Sequence, residues 1–465
     1  MQPHVFDVNG VESLYAVLPA MVESSGKYIL SGTQRRGPYA VDWSGMTVIS
    51  AANQVLPNFS LYGVWEQPYA TRESLRYRAP NISSVNLHNL KAVNYSYGAS
   101  MLAHCNHNML SVDMSSLSSI SATYALSRTF ANSILPCNFP ALKQVIGDYS
   151  MQNVFRMSSP RQNPLQGQTP ETYFPELTSI RGSYAFNYAL AGYTGINTQL
   201  DLSKCVSISG TYAMNYMFSS SNFTDISIGV SSLVQAGTNA YTFNRAFLSC
   251  LSLSNIQFPN LQQVNMNYTF YYAFERCEAL SSIEFPKLSA MRSAYGFAYA
   301  FQNNKTIREI RFPALVSCAS DAALPFQNML YSNYAIPNKD IPVSVYFPKL
   351  RYGRGNTTNS TFSTISNQGT AANRRPYKLI FGDESFTSIT AGTAAANSQF
   401  YNCRGMTDVY LPKLSAITNT YLFSSCSELT GIHFGAANEA AIKATTGWST
   451  LWGRGASAAT VTFEL

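Results

Sequence analysis

Residues 258–313 read FPNLQQVNMNYTFYYAFERCEALSSIEFPKLSAMRSAYGFAYAFQNNKTIREIRFP. Phe258-Pro259 returns as Phe285-Pro286 and again as Phe312-Pro313, each time after 27 residues. Between these anchors the same order recurs: a Tyr, an aromatic and alanine cluster, a Cys or Asn, a Leu or Ile, then an Ile. Self-similarity at a period of about 20–50 residues marks an array of supersecondary units that stack to bury a face none can bury alone.

The period extends in both directions. The apolar position two residues after the Pro holds Leu90, Leu117, Leu142, Leu177, Cys205, Leu233, Leu261, Leu288, Leu315, Leu350, Phe386 and Leu414, with Ile442 as a last mark. Steps are 25–28 residues except for three of 35 or 36, giving about twelve repeats. A second register supports the first: Tyr97, Tyr124, Tyr149, Tyr184, Tyr212, Tyr241, Tyr268 and Tyr295 each follow their mark by seven or eight residues.

Each repeat parses physically. Ile-x-Phe alternates as a short strand does, and the Pro behind it removes a ladder donor. Segments such as YAFNYAL space Ala and aromatics three and four apart, which predicts a short helix or 3₁₀ turn. Residues 1–60 carry no clear copy of the repeat, have β-rich character between Tyr28 and Val48, and read as an N-terminal cap or attachment segment. The array then spans 61–445, with polar insertions near 156–173, 331–346 and 351–377, and 446–465 closes it. A capping helix is expected at Ala436–Ala444, a Trp448/Trp452 plug after it and a last strand at Val461–Leu465.

The phrase C-x-x-L-x-x-I-x-F-P-x-L, as in Cys277, Leu280, Ile283, Phe285, Pro286 and Leu288, resembles the BspA-type leucine-rich repeats, whose unit also carries the preceding Ala273 and Phe274. The resemblance covers roughly residues 80–445. It implies an α/β repeat solenoid, right-handed, with one short parallel strand per 27–28-residue turn and helical or 3₁₀ returns, and it implies binding or adhesion at a cell surface. The repeats here are a few residues longer than the family's usual unit, the extra residues lying near the Tyr. The segment from His433 to Leu465 looks similar to closing segments of leucine-rich-repeat proteins of gut bacteria and their phages.

Composition excludes several classes. Charged residues are 12% of the chain, about half the usual share, while Tyr (30) and Phe (27) are abundant, so an ordered protein with uncharged polar surfaces is expected. The net charge of +7 comes from scattered residues, not from the basic stripe that nucleic acid requires. There is no apolar run of membrane-spanning length and no basic n-region of a secretory signal. The eight Cys lack metal or redox spacing, and Cys250, Cys277, Cys403 and Cys426 share one repeat position, as buried small apolar residues would.

Chemistry has few candidates. His104 and His107 flank Cys105 closely enough to suggest a metal cluster, but the trio sits at a turn and reads as an exposed loop. No catalytic motif occurs in a usable context, so no enzyme, metal or cofactor is expected. Binding is better served. The middle position of Ile-x-Phe should point out of the sheet and holds Gln257, Glu284, Arg311, Tyr346, Tyr410 and His433, a row that changes from turn to turn. Glu284 and Arg311 should be neighbours there. A stripe at Tyr184, Tyr212, Tyr241, Tyr268 and Tyr295 could serve sugars, though such stripes are more often core. The polar insertions are the third candidate.

These readings converge on a non-enzymatic extracellular recognition or structural protein, foremost a phage tail-associated or fibre protein that attaches to a host. The alternatives are a bacterial surface adhesin and a carbohydrate-binding module. The expected partner is a protein or glycan on a bacterial surface, with residues 1–60 available to other virion proteins. A homo-oligomer is compatible with all of them.

Overall fold

A computed structural model of the chain describes residues 82–94, 111–131, 139–156, 174–194, 198–233, 240–318, 324–332, 341–353, 374–385, 400–417, 422–445 and 459–464, with shorter pieces between and the backbone of four strands before residue 50. It divides into two compact units, Met1–Ile226 and Ser227–Leu465.

In the first unit, two parallel ladders run from turn to turn. One joins Tyr39–Asp42, Ile82–Asn86 and Ser111–Asp113. The other joins Val48–Ile49, Ala92–Val93, Ser119–Ile120, Gln144–Val145, Ser179–Ile180 and Ser207–Ile208. Two strands of the N-terminal segment therefore add a turn to these ladders although its sequence shows no copy of the repeat. A hairpin, Met21–Ser24 with Lys27–Leu30, precedes them.

The second unit has the same plan. Ser282–Glu284, Glu309–Arg311, Val343–Phe347, Tyr377–Phe381, Met406–Leu411, Gly431–Phe434 and Thr460–Thr462 form one parallel ladder. Ser232–Leu233, Gln263–Val264, Ala290–Met291, Ser317–Cys318 and Tyr352–Gly353 form the second. The F-P-x-L anchor is the corner between them: Leu288 N–H donates to Phe285 O at 3.3 Å and Leu315 to Phe312 O at 3.2 Å, a β-turn with Pro at its second position. The Cys or Asn position makes another corner. Leu280 N–H donates to Cys277 O at 3.2 Å, and Cys277 Sγ reaches back 3.1 Å to Phe247 O.

Inside the second unit the anchor phenylalanines stack in file, Phe258–Phe285–Phe312–Phe347, with centroids 5.2–5.5 Å apart. A second file, Phe243–Phe270–Phe297, meets the first edge-on. These rings are fully buried, and edge-to-face contacts add about 0.5–1.5 kcal/mol per pair beyond area burial.

The repeat solenoid with parallel strands stands, but two of its expected details do not. Each regular turn carries two short strands, not one. The Tyr-rich segment is neither helical nor 3₁₀. Every second donor crosses to the next turn: Tyr184 N–H to Thr211 O (2.9 Å), Phe186 to Ala213 O (2.8 Å), Tyr188 to Asn215 O (3.0 Å). The donors between them close β-turns, Asn187 to Tyr184 O (3.1 Å) and Ala189 to Phe186 O (3.0 Å). Every fourth residue is left-handed, with φ 54° at Tyr184, 55° at Tyr188, 56° at Tyr268 and 55° at Tyr272. The resulting four-residue period buries Ala185, Phe186, Ala189 and Leu190 and turns the tyrosines outward. It lies close enough to 3.6 to read as helical in sequence, and the hydrogen bonds to the next turn are what distinguish it.

Among the described residues one α-helix occurs, Glu439–Lys443, continuing a 3₁₀ turn at Ala436–Asn438, where the capping helix is expected. The last strand is Thr460–Thr462. Trp448 and Trp452 lie outside the described residues.

Candidate recognition surface

The alternation V-S-V-Y-F or Y-K-L-I-F puts Val345 and Leu379 inside and leaves the residue between Val345 and Phe347 half-exposed. Backbone register then decides which of these residues are neighbours. Glu284 lies opposite Arg311, Arg311 opposite Tyr346, Tyr346 opposite Ile380, Ile380 opposite Tyr410, Tyr410 opposite His433 and His433 opposite Thr462. The row expected from Glu284 to His433 is thus one continuous file. Gln257 belongs to the preceding strand, Asn255–Gln257, and is exposed beside it.

Ile380 and Thr462 complete the file and were missed. Ile380 was legible as the middle of Leu379-x-Phe381, but Gly382 replaces the anchor Pro there. A second outward file, two residues earlier on each strand, was also missed: Glu309 opposite Ser344, Ser344 opposite Lys378, Lys378 opposite Asp408. The longer alternating runs of the later repeats are its signal.

Side chains lock the files together. Arg311 does not close on Glu284; its guanidinium grips Glu309 on its own strand, Nη2 to Oε2 2.8 Å and Nε to Oε2 2.9 Å, because two residues along a strand share a face. The same guanidinium lies over the Tyr346 ring, 4.3 Å from its centroid. Further along, His433 stacks on Tyr410 at 4.3 Å and 14°. Its Nδ1 is 2.9 Å from Thr462 Oγ1 and its Nε2 3.3 Å from Asp408 Oδ1. Asp408 also pairs with Lys378 at 3.2 Å. Burial works against the Asp408 carboxylate, but the hydrogen bonds from Thr407 and His433 and the Lys378 ammonium hold its pKa below the ordinary value. This hydroxyl–imidazole–carboxylate chain fixes the ring flat against Tyr410. Gly431 makes the room, since a Cβ there would stand 2.5 Å from Asp408 Oδ1 and 2.6 Å from His433 Nε2.

The tyrosine stripe is surface, not core. Tyr184, Tyr212, Tyr241, Tyr268 and Tyr295 are all half-buried. In the first unit Tyr124, Tyr149, Tyr184 and Tyr212 stack at 4.7–4.9 Å; in the second, Tyr241, Tyr268 and Tyr295 stack at 4.6 and 5.0 Å. A second file four residues on pairs Tyr188 with Tyr216 and Tyr272 with Tyr299. Arg156 covers Tyr188 and Arg245 covers Tyr272. Ring faces are therefore spent on each other, and in the second file the Tyr299 hydroxyl also accepts from Asn328 Nδ2 at 2.9 Å. A sugar that stacks on an aromatic face finds little here.

Of the insertions, the ends are described together with Phe362, Thr364 and Ile365, of which Phe362 and Ile365 are buried. Arg375, within the polar insertion 351–377, is 2% exposed and donates to Lys305 O (3.0 Å) and Ile307 O (2.7 Å). Burial, aided by Arg308, brings its pKa down to about 10. Arg374 pairs with Glu428. Both pin the insertion to the scaffold. His104, Cys105 and His107 lie outside the described residues; among the described ones no group of three or more His, Cys, Asp or Glu could hold a metal. No described helix is long and apolar enough to cross a membrane.

Parallel strands repeated turn after turn, with an outward file on an apolar backing, define a leucine-rich-repeat solenoid. The BspA type leucine rich repeat region matches the chain in six copies, over residues 173–293, 211–345 and 380–444. The chain belongs to that family, and the sequence resemblance holds. No curated protein matches. Among solved structures, a leucine-rich repeat protein from Bacteroides ovatus ATCC 8483 is similar at 12% identity, covering 96% of this chain and 97% of that one, with a TM-score of 0.38. A leucine rich cell surface protein from Faecalibacterium prausnitzii A2-165 is similar at 13% identity over 96% and 95%, with a TM-score of 0.18.

Proposed function

We propose that the chain is a non-enzymatic recognition protein acting outside the cell, and that it meets a protein or glycan on a bacterial surface with the outward strand file from Glu284 to His433. One observation carries the reading. The file is continuous in register and its backing is uniformly apolar, yet acid, base, phenol, aliphatic and imidazole side chains follow one another along it. The scaffold dictates the inward residues and leaves the outward ones free to differ. BspA-type membership supports a place at a cell surface or outside the cell.

Retention of labelled protein on washed cells of a panel of gut bacteria, read by flow cytometry, tests this. A triple variant, Arg311→Ala with Tyr346→Ala and Tyr410→Ala, is expected to lose retention and keep its melting temperature. Undiminished retention would overturn the reading.

The finer reading, a tail-associated component of a phage virion, rests on the likeness of residues 433–465 to phage and gut-bacterial closing segments. Proteomics of purified particles beside washed host cells checks it. Enrichment in particles is expected; recovery with cells alone would make the carrier a bacterial envelope.

A further inference from the structure

The tyrosine column of the turn face holds oxidisable rings in series. In the first unit Tyr149 and Tyr184 stack with centroids 4.9 Å apart and 3° between planes, and Tyr184 continues to Tyr212 at 4.7 Å and 11°. In the second unit Tyr241 meets Tyr268 at 4.6 Å and 5°, and Tyr268 meets Tyr295 at 5.0 Å and 18°. The backbone repeats as well, with φ 54° at Tyr149, Tyr184, Tyr212 and Tyr295. Parallel rings that leave equivalent backbone positions set each ring atom against its counterpart one turn away. The Cε carbons, ortho to the hydroxyl, are thereby held as neighbours. Tyr299 and Tyr331 supply the contrast, edge-on at 5.8 Å and 78°.

The surroundings favour oxidation at these rings. Each of the column tyrosines is half-buried, so part of it is open to a small oxidant. Burial, joined by the charge of the next tyrosine, raises the Tyr149, Tyr184 and Tyr268 phenols above their ordinary pKa. These three are therefore neutral at pH 7 and lose a proton along with the electron. The described cysteines are buried, so they do not compete at the surface for the oxidant.

We propose that the column is a site of oxidative modification, where a peroxidase supplied with hydrogen peroxide joins tyrosines of successive turns as dityrosine. Each of two neighbouring phenols gives up one electron and its hydroxyl proton. The two phenoxyl radicals form a carbon–carbon bond between their Cε atoms. The hydrogen on each bonded carbon leaves as a proton and each oxygen takes one back, so both rings return to phenols. Hydrogen peroxide accepts the two electrons and two protons and becomes two waters. Tyr268 and Tyr295 are 27 residues apart and Tyr149 and Tyr184 are 35 apart. A bond that closes such a loop restricts the unfolded chain as a disulfide does, and thiols do not reverse it.

To test this, dilute full chain is treated with a peroxidase and hydrogen peroxide, and the monomer is recovered on a denaturing gel. Its digest is searched by mass spectrometry for tyrosine pairs that have lost two hydrogens. Links Tyr149–Tyr184 and Tyr268–Tyr295 are expected, about tenfold more abundant than in chain treated in urea, because folding holds the partners together. They should also exceed any Tyr299–Tyr331 link. Column links absent from the monomer, or as frequent in urea, overturn the proposal. Tyr184→Phe keeps a ring in the stack and removes one phenol, and it is expected to end linkage at that point in the column. A Tyr149–Tyr212 link in its place would show that coupling does not follow contact, and would also overturn the proposal. Circular dichroism establishes that this variant is folded; if it is not, Tyr268→Phe replaces it, with Tyr241–Tyr295 as the link that must not appear.

Discussion

The strand face and the tyrosine-turn face of the second unit are two sides of the same repeats, yet they obey different rules. On the turn face the residue recurs: Tyr241, Tyr268 and Tyr295 stand on one another, and each sits at positive φ. A left-handed residue with a side chain costs about 1–2 kcal/mol. A ring stacked on both neighbours recovers a similar amount, at about 0.5–1.5 kcal/mol per contact. Tyr repeats there because geometry repeats there. On the strand face the backbone is ordinary extended chain, so Glu284, Arg311, Tyr346 and His433 face no such demand. Sameness marks the side that packing constrains, and difference marks the side it leaves free to vary.

The largest effect should come from the core that both faces share. Phe285 is fully buried and stacks between Phe258 and Phe312. Phe285→Ala is expected to cost about 3–5 kcal/mol in urea unfolding; a loss below 1 kcal/mol would mean that the two faces do not share one packed interior. Next comes backbone crowding behind the turn face of the first unit. A Cβ on Gly182 would stand 2.1 Å from Gly147 O, and one on Gly210 the same distance from Gly182 O. Gly182→Ala is expected to cost about 1–3 kcal/mol, because backbone and not a side-chain tip must move.

Tyr268 separates backbone strain from stacking. Tyr268→Ala loses its ring contacts with Tyr241, Tyr295 and Tyr271 and keeps the strain, and it should cost about 1–3 kcal/mol. Tyr268→Gly loses the same contacts and relieves the strain, so its urea midpoint should lie above that of the Ala variant, by about 1 kcal/mol in stability. The reverse order would show that the left-handed conformation is not what the ring stack supports.

The two faces should also answer pH in opposite directions. On the turn face, burial raises the Glu275 carboxyl above its ordinary 4.5, against the pull of Arg245 and the hydrogen bonds from Asn303 and Gln302. The folded state then holds the proton longer than the unfolded one, so stability falls as pH rises from 4.5 through the folded value. Glu275→Gln should remove that fall. On the strand face Asp408 is lowered, so its contribution is present above 3.8 and lost as pH drops below it. Asp408→Asn should remove part of the acid loss. Urea midpoints across pH 3–7 read both. The smallest effect is expected in the outward strand file: Arg311 and Glu309 are each about two-fifths exposed, and Arg311→Ala should change stability by about 1 kcal/mol or less. A larger loss would make Arg311 a structural residue and blur the distinction between the faces.

The sequence by itself determined the period, the inward residues and the outward file. Ile283, Phe285, Leu288 and Cys277 are buried as their spacing required, and Glu284 through His433 fall in register because strands of one period must align. Tertiary structure alone decided three things. Hydrogen bonding to the next turn made the Tyr segment a column of β-turns where a four-residue period looked helical. Stacking between turns closed the tyrosine faces to ligands, and the Glu309–Arg311 grip replaced a Glu284–Arg311 pair. Each of these depends on which atoms of neighbouring turns come within a few ångströms of one another. A repeat read along the chain gives the order of the turns, and only their stacking gives those distances.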